Sequence, residues 1–203
     1  MQTVQLSKEI NPHFYDMWTT DKPYIVCKGG RGSFKSSVIS LKLVTTMMKY
    51  IQQGKIVNVI CIRENQQYLR DSVYNQILWA MNILHVANEF QTRVSPMIIR
   101  HKLSGSTFYF YGANDPQKLK SNIVGNIVGV WFEEFSNLKN AEVFDQSVPT
   151  FIRQKPYFAN QVKVYISYNP PRNPYAWVNE WVTQREVDDD YYIETSTYLD
   201  DEQ

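Results

Sequence analysis

The sequence predicts a single three-layer α/β domain, in which a mostly parallel sheet is covered by helices on both faces. Short apolar runs, typical of buried strands, alternate along the chain with stretches of helical periodicity. Hydrophobic residues make up 43% of the chain and charged residues 20%, which indicates a folded globular protein. A length of 203 residues suits one domain with a sizeable core, so we expect residues 1–203 to form one unit.

The first half of the chain contains two predicted strands, each followed by a predicted helix. Apolar runs predict strands at 23–28 and 56–63. Between them, apolar residues at helical spacing predict a helix that begins near Lys35 and closes at Gly54. An amphipathic pattern over 66–87 predicts the second helix.

The second half contains a predicted hairpin and two further strands. The hairpin is formed by 96–102 and 106–112, which are separated by a short turn. Apolar runs predict strands at 126–132 and 161–168, with a helical stretch around 140–149 between them. Because strands and helices alternate and the strands are apolar, most of the sheet is predicted to be parallel.

A glycine-rich segment, GGRGSFKSS, joins the first predicted strand to the first long helix. It closely follows the phosphate-loop pattern G-x-x-x-x-G-K-[ST], in which backbone N–H groups and the helix N-terminus bind nucleotide phosphates. In this pattern Lys35 reaches the β- and γ-phosphates and the Ser36 hydroxyl ligates Mg²⁺. The predicted nucleotide-binding residues are Gly29, Gly30, Arg31, Gly32, Ser33, Phe34, Lys35, Ser36 and Ser37. The alternative is a glycine-rich turn before a helix with no ligand.

Phe34 stands where the phosphate-loop pattern has a glycine. Nucleotide binding is compatible with this residue if its backbone has ordinary helical dihedral angles and its side chain points away from the phosphates. Three glycines remain earlier in the loop, where the backbone must approach the phosphates most closely.

The segment IVGVWFEEFS is a hydrophobic strand that ends in two carboxylates, Glu133 and Glu134. In phosphate-loop ATPases such a strand places one acid near Mg²⁺ and a second acid beside the attacking water. The first acid is usually aspartate, so the longer Glu133 is expected to act through a metal-bound water. A glutamate pair alone is more often solvated surface, but together with the loop it indicates an ATPase.

The segment ISYNPPRNP is a strand end that carries Ser167 and Asn169 ahead of two prolines. Ligands of doubly wound sheets bind at the carboxyl edge of the strands, where these polar side chains would lie. The alternative is a proline-rich turn.

Composition narrows the classes of function further. Lysines and arginines (21) nearly balance aspartates and glutamates (20), so any nucleic-acid contact would need a local basic surface. Cys27 and Cys61 lie in apolar runs without a paired cysteine motif, which indicates two buried thiols and no zinc site. No apolar stretch is long enough for a membrane span and no signal-peptide pattern is present, which indicates a cytoplasmic protein.

Four segments together resemble one protein family: GGRGSFKSS, YGANDPQKLKS (111–121), GVWFEEFS (129–136) and ISYNPP (166–171). Over essentially its whole length the chain resembles the N-terminal ATPase domain of tailed-bacteriophage large terminase subunits, the PBSX-like group in particular. The resemblance implies a phosphate-loop NTPase fold of the RecA-like (ASCE) type. It also implies that ATP hydrolysis, with Mg²⁺ as cofactor, drives double-stranded viral DNA into a procapsid.

The resemblance also implies roles for single residues. Lys35 and Ser36 take the phosphate and Mg²⁺ positions, Glu133 the metal-side acid and Glu134 the catalytic base. Arg31 matches an arginine proposed to contact the γ-phosphate in cis, so the implied catalytic residues are Glu134, Arg31 and Lys35.

Two further groups of residues follow from the resemblance. Ser167 and Asn169 fall in the coupling motif that senses the γ-phosphate. A finger from a neighbouring subunit is the alternative to Arg31, although each candidate also suits a surface salt bridge. The candidates for such a finger are Arg63, Arg70, Arg153 and Arg172.

Adenine recognition is expected in the segment INPHFYDMW (10–18), since in this family a segment ahead of the first strand packs near the base. Phe14, Tyr15 and Trp18 would supply stacking surface and Asn11 a polar contact. The alternative is an aromatic cluster that covers one end of the core.

The partners implied by the resemblance are double-stranded DNA, the portal protein, the small terminase subunit and the procapsid. A homo-oligomeric ring on the portal is expected, with a monomer in isolation, in the host bacterial cytoplasm and without a membrane. Two alternatives stay open: a nucleotide-binding scaffold with weak turnover outside a ring, and another nucleic-acid-dependent ATPase such as a helicase-like motor.

Large terminases continue into a C-terminal nuclease, and the end of this sequence matches the region where the family leaves the ATPase domain. We therefore expect a linker to begin at about 195–203 and the nuclease to be absent from this chain. Asp188, Asp189 and Asp190 are expected to form a solvated turn, because adjacent residues of an extended chain point in different directions.

Overall fold

The computed structural model describes residues 4–200. The strands in this part of the chain are β1 (Tyr24–Gly29), β2 (Asn58–Arg63), β3 (Phe90–Val94), β4 (Met97–His101), β5 (Thr107–Gly112), β6 (Ile127–Glu133), β7 (Lys163–Tyr168) and β8 (Tyr191–Ser196). These eight described strands form one sheet in the order β3-β4-β5-β2-β6-β7-β1-β8.

The helices surround this sheet. The α-helices of the described residues are α1 (Leu6–Glu9), α2 (Tyr15–Thr19), α3 (Lys35–Gln52), α4 (Asn75–Ile83), α5 (Pro116–Lys120), α6 (Glu142–Arg153) and α7 (Trp177–Arg185). Short 3₁₀ turns lie at Pro12–Phe14, Gln66–Tyr68, Ala87–Glu89, Phe135–Asn137 and Tyr198–Asp200, and a π-helical turn at Arg70–Tyr74. No helix among residues 4–200 has both the length and the apolar character needed to cross a membrane.

The sheet is mostly parallel, as predicted. β1 pairs in parallel with β7 and β8, β2 pairs with β5 and β6, and β6 pairs with β7. The antiparallel pairs of the described residues are β3–β4 and β4–β5, at one edge. The predicted hairpin is therefore present as β4 and β5.

Two apolar clusters occupy opposite faces of the sheet. One packs α3 and α4 against a face that includes Val59 and Trp131. The other packs α6 and α7 against a face that includes Phe132 and Ile166. This arrangement confirms the predicted three layers, and the two cysteines are buried thiols on β1 and β2, as expected.

The helix predicted over 66–87 forms in three pieces instead of one. A 3₁₀ turn and a π-helical turn precede α4, and the Tyr74 amide donates to the Leu69 carbonyl, five residues earlier, at 3.0 Å. Leu69, Val73 and Ile77 remain buried, so the apolar pattern is preserved. A pattern of burial does not distinguish an α turn from a wider π turn, which is why the sequence did not reveal the change.

Six elements had no clear sequence signal: α1, α2, β3, α5, α7 and β8. In β3 only Phe90 is buried, so the strand lacks the alternation that marks a half-buried strand. In β8 a single residue, Ser196, is buried, and the strand lies at the other edge of the sheet. Edge strands show weak patterns because less of their surface is covered.

The expected linker needs a correction at its start. Thr195 and Ser196 are the last residues of β8 and pair with Lys28 and Gly29 of β1. They therefore belong to the sheet and not to a linker. Residues 201–203 lie outside the described residues. Asp188, Asp189 and Asp190 are exposed in a turn before β8, as expected.

Candidate functional site

The candidate site lies at the carboxyl edge of the central parallel strands. β1 ends at Gly29 and α3 begins at Lys35, so the glycine-rich loop connects the edge of the sheet directly to the N-terminus of a long helix. In the register, Ser167 of β7 is paired with both Cys27 of β1 and Glu133 of β6. The loop, the glutamate pair and the end of β7 therefore meet at one edge, as the sequence predicts.

Two loop glycines are required for different physical reasons. A Cβ atom on Gly29 would lie 2.2 Å from the Ser196 carbonyl oxygen and 2.7 Å from Ser33 Oγ, so no side chain fits there. Gly32 has φ of +75°, a left-handed conformation that glycine adopts without a Cβ clash. At Gly30 no heavy atom comes within 4 Å of the Cβ position, which leaves the backbone open at this point.

Phe34 does not have the helical conformation that was named above as a condition for nucleotide binding. Its dihedral angles are φ 60° and ψ −3°, in the left-handed region, at the N-cap of α3. The usual glycine of the pattern avoids the cost of a left-handed conformation, which for other residues is about 1–2 kcal/mol. The ring is 38% exposed and borders an external cavity together with Pro12, Ser37 and Trp79. The left-handed backbone is therefore compatible with a side chain outside the loop.

Lys35 is folded back over the loop and is almost fully buried. Its Nζ donates hydrogen bonds to the Gly30 carbonyl at 2.9 Å, to Ser33 Oγ at 3.3 Å and to Asn169 Oδ1 at 2.8 Å. Burial lowers the pKa of Lys35, and nearby Glu133 opposes this shift. The ammonium group is thus positioned at the mouth of the loop and joined to the end of β7.

Ser36 and Glu133 are joined by a side-chain hydrogen bond beside Lys35. The Ser36 hydroxyl donates to Glu133 Oε1 at 3.1 Å. Burial raises the pKa of Glu133, and the adjacent Glu134 adds to this effect, while Arg63 and Ser36 lower it. The other oxygen, Oε2, is buried and has no hydrogen-bond partner among the described residues. The pair thus combines a hydroxyl and a carboxylate, which are oxygen ligands of the kind that Mg²⁺ prefers.

Glu134 has a strained backbone and a fixed side chain. Its φ of 53° lies in the left-handed region, which is uncommon for a residue other than glycine and typical of functional sites. Asn137 Nδ2 donates to Glu134 Oε2 at 2.8 Å, and Arg63 Nη2 forms an ion pair with the same oxygen. Both contacts involve Oε2, so Oε1 is not engaged by either of them.

Arg63 lies beside the glutamate pair, a placement that the sequence did not establish. It lies at the end of β2, and its Nη2 contacts Glu134 while its Nε is 3.8 Å from Glu133 Oε2. Its Nη1 donates to the Tyr68 carbonyl at 3.0 Å. Arg63 is therefore tied to the glutamate pair of its own chain, which argues against its candidacy as a finger for a neighbouring subunit.

The other arginines considered for the γ-phosphate form no ion pair with the glutamate pair in the described residues. Arg31 is exposed on the loop, and within residues 4–200 its side chain makes no ion pair or hydrogen bond. Arg70 and Arg172 are exposed, and Arg153 donates to Thr150 at the end of α6. Of the four candidates for a trans contact, Arg70, Arg153 and Arg172 therefore remain open, as does the cis candidate Arg31.

Ser167 and Asn169 do not share one environment. Asn169 accepts the hydrogen bond of Lys35 and so belongs to the site. Ser167 is 1% exposed, and its Oγ accepts a hydrogen bond of 2.8 Å from the Trp131 indole in the sheet. Ser167 is therefore part of the core, on the strand next to Glu133, and has almost no surface for a ligand in this conformation.

The residues predicted to bind adenine also lie in different environments. Phe14 has no exposed surface and belongs to the core, so it offers no ring face to a base here. Trp18 packs beneath Lys42, whose Nζ is 4.8 Å from the ring centroid. The Asn11 side chain accepts from the His13 amide, and the Tyr15 hydroxyl donates to the Ser7 carbonyl. These contacts favour the alternative of an aromatic cluster over the core for Phe14 and Trp18.

A cavity of about 420 Å³ lies between the N-terminal segment and the start of α3. Its lining includes Asn11, Pro12, Phe34, Ser37 and Trp79. Trp79 was missed because it lies on a predicted amphipathic helix, where a tryptophan normally contributes to the core. Its 40% exposure shows that it lies on the outer side of α4 instead.

Comparison with known proteins identifies the same family as the sequence motifs and the same fold as the predicted elements. The sequence matches the family described as phage terminase large subunit over residues 21–203. It is 29% identical over 205 residues to the large terminase subunit of Bacillus phage SPP1, with 98% of this chain and 47% of that protein covered. The chain therefore spans about half the length of this curated relative.

Solved structures of two phage proteins have the same fold. The large terminase of a thermophilic bacteriophage superimposes with a TM-score of 0.71 at 16% identity, with 94% of this chain and 46% of that chain covered. The complex of that terminase with ATP-γ-S gives 0.68 at 17% identity, with 94% and 45% covered. The N-terminal domain of the bacteriophage phi29 DNA packaging ATPase gives 0.65 at 21% identity, with 96% and 100% covered. These likenesses confirm the predicted RecA-like fold.

Proposed function

This chain belongs to the family of phage terminase large subunits, and on that premise we propose that it is an ATP-hydrolysing motor domain that drives double-stranded viral DNA into a procapsid. The observation that carries the proposal is the convergence of Lys35, Ser36, Glu133 and Glu134 at one sheet edge. A glycine-rich turn without a ligand would not bring a buried lysine and two carboxylates together. The ATP-γ-S complex of the thermophilic phage terminase supports ATP as the nucleotide.

Phosphate binding would use the open backbone of the loop and the Lys35 ammonium group. The N–H groups of the loop and of the first turn of α3 favour an anion at this helix N-terminus. Lys35 would exchange its contacts with Gly30 and Ser33 for phosphate oxygens. Asn169 shares the same ammonium group, so it is placed to respond when Lys35 moves. We therefore assign the coupling role to Asn169, and a supporting role to Ser167.

Ser36 and Glu133 fit a magnesium ion. Glu133 Oε2 is a buried carboxylate oxygen without a hydrogen-bond partner in the described chain, and the Ser36 hydroxyl lies beside its other oxygen. When bound, Mg²⁺ would neutralise charge on the β- and γ-phosphates. Glu133 would hold the ion through a bound water, and Ser36 would ligate it.

Glu134 would activate the attacking water. Its Oε2 is held by Asn137 and Arg63, which leaves Oε1 to accept a proton from water as the oxygen of that water attacks the γ-phosphorus. The bond between the γ-phosphorus and the bridging oxygen breaks, and ADP and phosphate are released. Arg63 would act here as a positioning residue, because it forms an ion pair with Glu134.

The adenine base would occupy the cavity beside Phe34 rather than the surface of Phe14. Ser37 lines this cavity and directly follows Lys35 and Ser36, the residues proposed to contact the phosphates and Mg²⁺. Phe34 and Trp79 are the half-exposed aromatic rings of its lining. Asn11 lies beside them, but its amide is engaged by the His13 N–H group and the Asp200 carbonyl. We assign Phe34 and Trp79 to the base, and retain Asn11 and Tyr15 as neighbouring residues of the segment.

Arg31 would contact the γ-phosphate from within the loop. An exposed arginine without an ion pair in the described residues is available either for the nucleotide of its own subunit or for a neighbour in a ring. The rate of ATP turnover per subunit at increasing protein concentration separates the two arrangements. A constant rate supports action in cis, and a rising rate supports a site completed by a neighbour.

The remaining parts of the proposal follow from family membership. We propose that the domain works on a portal protein as part of a homo-oligomeric ring, with the small terminase subunit and the procapsid, in the host cytoplasm. We assign ATP hydrolysis, and no DNA cleavage, to residues 4–200. A supercoiled plasmid that stays intact with this domain and Mg²⁺ would agree with that assignment, and nicking would contradict it.

The central test uses two variants with different expected defects. Lys35→Ala should lose both ATP binding and hydrolysis, because it removes the main phosphate cation. Glu134→Ala should lose hydrolysis while a fluorescent ATP analogue still binds, because only the base is removed. Normal hydrolysis by Glu134→Ala would refute the assignment of the base. Nucleotide binding without turnover by the unmodified domain at every concentration would instead support the alternative of a scaffold.

A further inference from the structure

A shallow groove of about 370 Å³ lies on the face of the antiparallel edge, between β3, β4, β5 and α5. The opposite face of these strands packs into the core through Phe90, Ile99, Phe108 and Phe110. The groove lies outside the nucleotide site and has no part in the mechanism described above. We define this groove face by the side chains of Gln91, Arg93, Arg100, Tyr109, Tyr111 and Lys118.

The strand register places these side chains together on one face. Gln91 is opposite Arg100, and Arg100 is opposite Thr107. In the next row Arg93 is opposite Ile98, which is opposite Tyr109. Residues directly opposite each other in antiparallel strands point to the same side of the sheet. Arg93 and Arg100 are thus diagonal neighbours, and together they form a compact cationic patch.

The charge of this region departs from the balance of the whole chain. Residues 90–114 contain Arg93, Arg100 and Lys102 and no aspartate or glutamate, whereas the complete chain has a net charge of only +1. Among the described residues that line the groove none is acidic. Arg93, Arg100 and Lys118 are all exposed, and none of them forms an ion pair in the described chain. The groove face is therefore a local basic surface of the kind that composition alone did not reveal.

The polar groups of the groove face are hydrogen-bond donors, which suit the oxygens of a phosphate group. Arg100 Nε donates to Thr107 Oγ1 at 3.1 Å, which fixes the guanidinium group without using its terminal nitrogens. The rings of Tyr109 and Tyr111 are stacked at 6.3 Å, and Lys118 Nζ lies 5.5 Å from the Tyr111 ring centroid. Burial raises the pKa of Tyr111 to about 12, so its hydroxyl remains a neutral donor. The guanidinium nitrogens, the Lys118 ammonium group and the tyrosine hydroxyls are all hydrogen-bond donors, and such donors bind phosphate oxygens.

We propose that the groove face binds the phosphate backbone of double-stranded DNA, with Arg93, Arg100 and Lys118 as its phosphate contacts. The inference rests on the proposed function, which brings a duplex to this domain, and it names the surface that the duplex meets. Basic side chains supply most of the affinity of proteins for DNA without reading its sequence, as a translocating motor requires. Gln66 also lines the groove, and it lies in the segment that follows Arg63.

The test compares charge reversals on the groove face with matched reversals elsewhere. Arg93→Glu with Arg100→Glu forms the test variant. Lys49→Glu with Lys139→Glu changes the net charge equally at two other exposed positions. Binding of a labelled linear duplex is measured by fluorescence anisotropy over a range of salt concentrations, together with thermal unfolding of each variant.

We expect the test variant to bind the duplex roughly 10-fold more weakly or worse, and its salt slope to decrease by about 2, because two phosphate contacts are lost. The control variant should stay within about twofold of the native domain. Equal losses in both variants would show that only net charge matters and would overturn the proposal. So would unchanged duplex binding by a folded test variant, or no binding by the native domain at low salt.

Two further readouts separate this proposal from others. A single strand that binds to the groove face more tightly than the duplex would overturn the proposal. Loss of self-association by the test variant in sedimentation experiments, with duplex binding intact, would assign the face to a second copy of the chain and overturn it as well. Binding of a fluorescent ATP analogue should be unchanged in the test variant. Failure of the native domain to bind ATP would refute the proposed function independently of the DNA result.

Discussion

The polar side chains of the parallel part of the sheet are hydrogen-bonded to one another or to their neighbours, whereas several in the antiparallel part are exposed. At the carboxyl edge of the parallel strands, Lys35, Glu133 and Asn169 are joined by short hydrogen bonds to each other or to their neighbours. On the antiparallel edge, Arg93 and Lys118 are exposed and form no ion pair in the described chain. The first region is a fixed arrangement that suits chemistry, and the second is an open surface that suits contact with a large polyanion.

The difference follows from how each region is covered. Helices on both faces enclose the central parallel strands, so polar groups at their ends lose water and need partners. One face of β3, β4 and β5 is left without a helix over much of its area, so its cations keep their hydration. Substitutions should therefore be costly at the first region and tolerated at the second, and the following predictions test this contrast from the largest expected effect to the smallest.

The largest effect is expected from Gly29→Ala. The new Cβ would lie 2.2 Å from the Ser196 carbonyl oxygen, so β1 and β8 must separate, with a loss of about 3 kcal/mol of unfolding free energy. Gly30→Ala is the matched control, because nothing lies within 4 Å of its Cβ position. Urea unfolding of both variants measures the difference. Equal stability of the two would contradict the close contact between the loop and β8.

Arg63→Ala should reduce kcat roughly 100-fold, because misplacement of a catalytic group by about 1 Å has an effect of this size. KM for ATP should change little, since Arg63 contacts Glu134 and not the loop. Steady-state kinetics give both values. A large rise in KM with kcat unchanged would show that Arg63 binds nucleotide rather than positions the base.

Phe34→Gly should weaken ATP binding roughly 10-fold through the loss of a stacked ring. It should leave the unfolding free energy within about 1 kcal/mol, because relief of the left-handed strain offsets the greater chain entropy of glycine. Inorganic tripolyphosphate, which has no base, is the control ligand. Equal weakening for both ligands would mean that Phe34 shapes the phosphate loop instead of the base cavity.

Glu133→Gln should raise the unfolding free energy at neutral pH by roughly 1 kcal/mol, while it impairs magnesium-dependent hydrolysis. Burial raises the pKa of Glu133 in the folded state, so the ionised carboxylate opposes folding, and this penalty grows as pH rises through that pKa. The stability difference between variant and native protein should therefore shrink as pH falls below it. Thermal unfolding across pH measures this trend, and a difference that grows on acidification would contradict it.

The smallest effect is expected from Arg93→Ala. The side chain is exposed on an edge strand, so unfolding free energy should change by less than about 0.5 kcal/mol. ATP hydrolysis without DNA should also be unchanged, because the residue lies outside the nucleotide site. A loss of stability comparable to that of Gly29→Ala would remove the contrast between the two regions.

Sequence reasoning was most accurate where a local pattern and a chemical requirement coincide. The position of the glycine-rich loop between a strand and a long helix could be predicted because its glycines, Lys35 and Ser36 are adjacent in the chain. The position of Glu133 and Glu134 could be predicted because they follow an apolar run. It was least accurate where a side chain's role depends on its surroundings. Phe14 and Trp79 show this, since one aromatic residue is fully buried and the other is exposed beside a cavity.

The sequence by itself determined the α/β class, the phosphate loop and the glutamate pair, because periodicity and spacing along the chain encode them directly. Only the tertiary structure decided that Arg63 contacts Glu134 and that Ser167 is buried against Trp131. It also decided that Arg93 and Arg100 share one exposed face of the sheet. These relations join residues on different strands, and their distances depend on strand order, register and coverage. A linear pattern specifies each strand, but packing of the whole sheet decides which strand ends become neighbours.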